Sequence, residues 1–133
     1  MTHLLDTNSC VDHLRRGQGS NITARLAAAA PGSVVLCSVV MGELLYGAHH
    51  SARKAQTLIQ VRSFCGQFQS LPFDDLAAEE YGVIRAYLAG LGTPIGPNDL
   101  MIASIALTHG LTVITHNTSE FSRVPGLKFE DWQ

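Results

Sequence analysis

The chain has 133 residues, 46% of them hydrophobic, and a formal net charge of −2 at neutral pH. That size suits a single domain, residues 1–133, whose core needs no disulfide staples. The charge excludes a generally basic nucleic-acid coat, and no apolar run nears the ~20 residues that cross a bilayer, so no membrane partner is expected. Acids gathered at one site would still leave room for a local basic rim of arginines and lysines elsewhere. Cys10, Cys37 and Cys65 form no CxxC pair and read as packed free thiols. The start, Met1 to Asp6, carries no basic export signal, and the expected location is cytoplasmic.

Thr2 to Leu5 reads as a short strand that ends at Asp6. Thr7 or Asn8 is expected to cap a helix over Ser9–Arg15. After the loop Gly17–Ser20, Ser20 or Asn21 opens an alanine-rich helix that stops at Pro31-Gly32. Val34–Cys37 is apolar throughout, as in a strand covered on both faces. Ser38 is expected to cap a helix from Val39 to about His50, and Ser51–Phe68 continues as a second helical segment. Leu71–Phe73 is a brief strand. Asp74 caps a helix in which Leu76, Tyr81, Ile84, Tyr87 and Leu88 recur at helical spacing. Gly90 to Pro94 breaks it. A turn ends at Asn98-Asp99, an apolar helix follows to Gly110, and Leu111–Thr115 is the next strand. Asn117–Ser119 is a candidate cap for a short helix, and Leu127–Phe129 a candidate edge strand. This alternation indicates an α/β fold with a parallel central sheet and helices on both faces. Ligands in such sheets bind beyond the carboxyl ends of the strands, where the strand order reverses.

Three acids occupy unusual places. Asp6 ends the first strand. Glu43 lies on a helical face with Val39, Val40, Tyr46 and Gly47 one turn away. Asp99 heads the stripe Ile102, Ala103, Ala106. Each alone has an ordinary explanation: a helix cap, a partner arginine, a favourable helix dipole. Together they are harder to explain, because unpaired buried charge costs several kcal/mol. No run of lysine or arginine lies in these elements to neutralise them. A divalent cation does, and oxygen donors suit Mg²⁺ or Mn²⁺. The histidines lack zinc spacing, and there is no P-loop, GxGxxG or GxSxG. The residues therefore indicate an acidic metal site for phosphodiester or phosphoryl chemistry. Two alternatives stand beside it. One is a haloacid-dehalogenase-like phosphatase with Asp6 as nucleophile, although Asn8 replaces the usual second aspartate. The other is a non-catalytic dimeric module whose acids receive a partner's arginine.

The runs L-L-D-T-N (Leu4–Asn8), V-V-M-G-E-L-L-Y-G-A (Val39–Ala48), N-D-L-M-I-A-S-I-A (Asn98–Ala106) and V-I-T-H-N-T-S-E-F (Val113–Phe121) appear in order. With them the chain resembles the PIN-domain ribonucleases, and more narrowly the VapC-type toxins of bacterial toxin–antitoxin pairs. The resemblance extends to the closing R-V-P-G-L-K-F-E-D-W, Arg123–Trp132, which is similar to the group that cuts initiator tRNA in its anticodon loop. It implies a PIN-like three-layer α/β/α sandwich, a homodimer with possible higher toxin–antitoxin assembly, and Mg²⁺- or Mn²⁺-dependent cleavage of RNA. By motif, Asp6, Glu43 and Asp99 are the implied metal ligands, supported by Thr7, Asn8 and Thr115. The family's fourth acid falls at Glu120, and Asn117 stands where some relatives place an aspartate and offers a carbonyl oxygen. Arg15, Arg16, Arg53, Lys54 and Arg85 are candidate phosphate contacts. The implied partner is a VapB-type antitoxin. Ala27–Ala30 and the helix through Tyr46 are candidate docking surfaces for it, with ordinary core packing the favoured reading for most of those residues.

Overall fold

The structure is a computed structural model that describes residues 1–133. Strand β1 (His3–Leu5) takes the middle of a five-stranded sheet. On one side lie β2 (Val34–Cys37) and then β3 (Ser70–Leu71); on the other lie β4 (Thr112–Ile114) and then β5 (Lys128–Glu130). Every neighbouring pair is parallel, with Leu4 opposite Val35 on one side and Val113 on the other. Parallel strands need crossovers, and helices supply them. Helices α1 (Thr7–Arg16) and α2 (Asn21–Ala28) link β1 to β2. Helices α3 (Ser38–His49) and α4 (Lys54–Cys65) link β2 to β3. Helices α5 (Asp75–Leu91) and α6 (Pro97–His109) carry the chain back to β4, and α7 (Thr118–Phe121) leads to β5. The chain moves one way across the sheet from β1 to β3 and the other way from β3 to β5. Right-handed crossovers then place helices on opposite faces, which makes the expected α/β/α sandwich.

The same reversal makes the gap between β1 and β4 the switch point, and Asp6 and Thr115 emerge there side by side. The Asp6 N–H donates to the Ile114 carbonyl at 3.0 Å. All four residues of β2 are buried, as its composition requires. Thirty buried apolar residues form one core cluster. Helix α6 supplies Leu100, Ile102, Ala103, Ile105 and Ala106 to it, which immobilises the helix that carries Asp99. Gly110 closes that helix at φ 65°, a left-handed conformation that a side chain would oppose. No helix is long and apolar enough to cross a membrane.

Several expectations shift. Neither Thr7 nor Asn8 caps α1. Asp6 takes the cap, accepting from the Ser9 N–H at 2.9 Å, and the helix starts at Thr7. Ser38 does not cap α3 either: Cys37 holds the cap position without a side-chain bond, and the Ser38 hydroxyl accepts from the Phe73 N–H at 3.2 Å. That bond ties α3 to the chain beyond β3. Helix α4 is shorter than Ser51–Phe68, because Ser51 accepts from the Arg53 N–H at 3.1 Å and holds the approach in a turn. Ser20 and Asp74 cap α2 and α5 as expected. The apolar residues of α5 divide between two faces: Ile84 and Leu88 are buried, whereas Leu76 and Tyr87 are exposed.

Candidate active site

Asp6 is the most enclosed of the acids, with 2% of its surface exposed. It sits where β1 turns into α1, so its carboxylate both caps the helix and faces the cleft. Burial pushes its pKa up. Hydrogen bonds from the neighbouring Thr115 hydroxyl and from Ser9 oppose this, and the charge of Glu43 adds to it. Thr115 itself is fully buried at the end of β4. Ser9 does more than cap: its hydroxyl donates to the Ile114 carbonyl at 3.1 Å and fastens α1 to β4.

Glu43 projects from α3 and is half-buried. The Thr7 hydroxyl donates to it at 2.5 Å, so the residue after Asp6 orients the second acid. Asp99 lies in the first turn of α6, behind Gly96 and Pro97, where the helix dipole favours negative charge. Its pKa is nevertheless raised from 3.8 to about 7, first by burial and then by Glu120 and Asp6. Glu120, on α7, completes the group. The Asn117 amide donates to Glu120 Oε2 at 2.9 Å and to Asp99 Oδ2 at 3.2 Å.

Asp6, Thr7, Asn8, Glu43 and Asp99 thus line one polar cleft, together with Gly96, Pro97 and Asn98. Asn117 ties Glu120 to its edge. The residues missed in the sequence are Ser9 and the wall Gly96–Asn98. Ser9 follows three positions after Asp6, the spacing of a capping contact, and was legible in that respect. The wall residues act through their place beside Asp99 and carry no chemical signal of their own.

The ion pairs of the molecule are His3–Glu130, Arg16–Asp12 and His116–Asp131. None of them reaches Asp6, Glu43, Asp99 or Glu120. These crowded, oxygen-only donors without a cation of their own fit a hard divalent ion. No three His, Cys, Asp or Glu side chains are arranged closely enough to hold an ion by themselves. A small hard ion suits that spacing, because it binds through one or two carboxylates and fills its other positions with water and phosphate.

Of the five candidate phosphate contacts, Arg15 shares a groove with Glu43, lined also by Gly47, Ser51 and Thr57. Arg16 is committed to Asp12 at 3.3 Å and to the Gly19 carbonyl. Arg85 folds over the Tyr81 ring and donates to its hydroxyl. Arg53 and Lys54 are exposed at the start of α4. Two further expectations need correction. Asn117 offers donors to the acids rather than its carbonyl, and it forms no side-chain cap on α7. Core packing holds Val40, Leu44 and Ala48 of α3 and reaches Ala29, but not Ala27, Ala28 or Ala30, which are exposed, nor Tyr46, which is 69% exposed and stacks on His50. The three cysteines are free and buried.

Residues 3–127 match the family described as the PIN domain. The chain is 39% identical to a tRNA(fMet)-specific endonuclease VapC of Salmonella typhimurium, over 97% of this chain and 96% of that one. It is 33% identical to ribonuclease VapC2 of Rickettsia felis, over 99% and 98% of the two chains. Its backbone is similar to a chain in the crystal structure of DNA-bound VapBC from Salmonella typhimurium, with a TM-score of 0.94 and 38% identity, covering 100% of this chain and 99% of that one. These likenesses support the nuclease reading and neither the phosphatase nor the non-catalytic module.

Proposed function

The chain belongs to the PIN-domain family and, within it, to the VapC ribonucleases, and from that premise we propose that it is an endoribonuclease toxin whose cleft acts through Asp6, Glu43, Asp99 and Glu120 with Mg²⁺, for which Mn²⁺ substitutes. The nucleases of this family depend on a divalent metal. The observation that carries the assignment of residues is the gathering of four carboxylates at the switch point with no lysine, arginine or histidine paired to any of them.

A divalent ion bound there supplies charge neutralisation at the scissile phosphate and a water of lowered pKa. The chain's own residues do the positioning. Ser9 and Thr115 hold Asp6, and Thr7 holds Glu43. The buried face of α6 keeps Asp99 from moving when the substrate arrives. Such rigidity matters because a displacement of about 1 Å can cost roughly 100-fold in rate. Arg15, in the groove that begins at Glu43, is placed to meet a phosphate of the same strand.

The RNA substrate is proposed to be tRNA, and specifically the anticodon loop of initiator tRNA, in keeping with the name of the Salmonella relative. An unpaired loop can be splayed into a cleft of this kind, whereas a duplex cannot. The partner is proposed to be a VapB-type antitoxin, as in the VapBC structure. The exposed alanines of α2 and Tyr46 of α3 are open to such a partner. A homodimer, assembling further with antitoxin in the cytoplasm, completes the proposal, with residues 1–133 acting as one domain.

The test is cleavage of tRNA by purified protein free of antitoxin. Cleavage should require Mg²⁺ or Mn²⁺ and disappear with EDTA and in Asp99→Asn. Full activity in EDTA overturns the metal reading. Mapping RNA 5′ ends in cells after brief induction, with Asp6→Asn as control, should give one dominant cut in the initiator tRNA anticodon loop. Dominant cuts elsewhere overturn that substrate.

A further inference from the structure

We propose that Asn117 is a positioning residue whose amide joins Asp99 and Glu120 into one unit, so that both carboxylates are presented to the same divalent ion. The proposal rests on the metal-nuclease reading above and assigns the arrangement of the fourth acid within it.

In the ionised form that binds a cation, both carboxylates only accept hydrogen bonds, so the nitrogen of Asn117 is the atom that serves them. Its two N–H groups are enough for both: Nδ2 lies 2.9 Å from Glu120 Oε2 and 3.2 Å from Asp99 Oδ2. The amide oxygen turns away, 3.5 Å from the Ser119 hydroxyl. Asp99 and Glu120 come from α6 and α7, and Asn117 is the side-chain N–H that bridges them. It is well anchored for that task. Its backbone N–H donates to the buried Thr115 hydroxyl at 2.9 Å, and its carbonyl accepts from the N–H of Phe121, which is fully buried.

The type of residue matters as much as its place. A lysine here would bind both acids and also fill the position of a metal charge. An aspartate would add a third negative group without supplying donors. A neutral amide brings two like charges together and leaves their negative charge available to a cation. Each acid also keeps a second oxygen that Asn117 does not engage.

The test uses Asn117→Leu, which preserves size and removes both donors, in the full chain without antitoxin. Mn²⁺ affinity is measured by calorimetry and by the rise in melting temperature with added Mn²⁺. Loss of such an outer hydrogen bond should weaken Mn²⁺ binding about 10- to 100-fold, with melting in EDTA near that of the parent. Cleavage should recover at high Mn²⁺, because the half-saturating concentration moves and the plateau rate largely does not. Asn117→Ser, with one donor, should fall between the two. Mn²⁺ affinity within twofold of the parent in Asn117→Leu overturns the proposal. If that variant does not fold, parental affinity in Asn117→Ser overturns it equally. Asp99→Asn separates the two levels. If Asp99→Asn binds Mn²⁺ as tightly as the parent, or the parent binds none, the metal site itself is wrong and the clamp falls with it.

Discussion

Acids lie at two places on either side of β4, and their surroundings treat them in opposite ways. Along and beyond β5, Glu130 accepts from the Trp132 indole at 3.1 Å and faces His3 at 3.3 Å, while Asp131 lies 2.9 Å from His116. These partners hold both carboxyls below their ordinary values, Glu130 through Trp132 first and Asp131 first through the Gln133 backbone N–H. In the cleft, burial pushes Asp6 and Asp99 upward, and no cationic side chain relieves them. The difference separates acids whose partners are supplied by the chain from acids whose partner must come from outside. The first kind closes a structure. The second kind leaves a site.

The largest effect should come from removing a cleft acid. Asp6→Asn or Asp99→Asn should lower tRNA cleavage about a thousandfold, since metal charge stabilisation is worth several kcal/mol. Single-turnover cleavage at saturating Mg²⁺ checks this, and circular dichroism confirms the fold. A loss below tenfold would place the chemistry elsewhere.

Thr7→Val removes the hydroxyl that orients Glu43 and should cost about 10-fold or more in cleavage, in the range of outer-sphere contacts. A rate equal to the parent would show that Glu43 orients itself.

The two places should also respond oppositely to pH. Asp99 has a folded pKa of about 7 against 3.8 ordinarily. Between those values the folded chain holds a proton that the unfolded chain releases. Its contribution to stability is therefore full below about pH 4 and lost as pH rises through 7. Glu130 and Asp131 are lowered, so their contribution is present above their ordinary values and lost as pH falls from there through their lowered folded values. In EDTA, the melting temperature should decline from pH 5 to pH 8, and Asp99→Asn should flatten that decline. Added Mg²⁺ should reverse it, more strongly at pH 8 than at pH 6, because protons compete for the same oxygens. An unchanged slope in Asp99→Asn would remove Asp99 as the cause.

The smallest effect should come from the β5 side. Glu130→Gln should cost no more than about 1 kcal/mol, as exposed pairs do, and should leave tRNA cleavage and its Mg²⁺ dependence unchanged. A loss of cleavage there would erase the distinction between the two groups.

Much of this was legible along the chain. The apolar run Val34–Cys37 signalled a strand covered on both faces, and the stripe Ile102, Ala103, Ala106 signalled a buried helix beneath Asp99. Asp6, Glu43 and Asp99 stood out because each carboxylate occupied a place where charge is costly without a partner. Helix starts were less legible. Thr7, Asn8 and Ser38 all have capping side chains, and only the packed backbone decided that Asp6 would cap α1 and that Ser38 would reach Phe73 instead.

The sequence by itself determined the sheet order's ingredients and the identity of the acids, because periodicity and residue chemistry are local properties. The tertiary structure alone decided how those acids are held. Thr7 meets Glu43 across 36 positions and Asn117 meets Asp99 across 18, and no local pattern encodes contacts between elements so far apart. It also decided that Asn117 presents its nitrogen rather than its oxygen, since that choice depends on two carboxylates that only folding brings within reach.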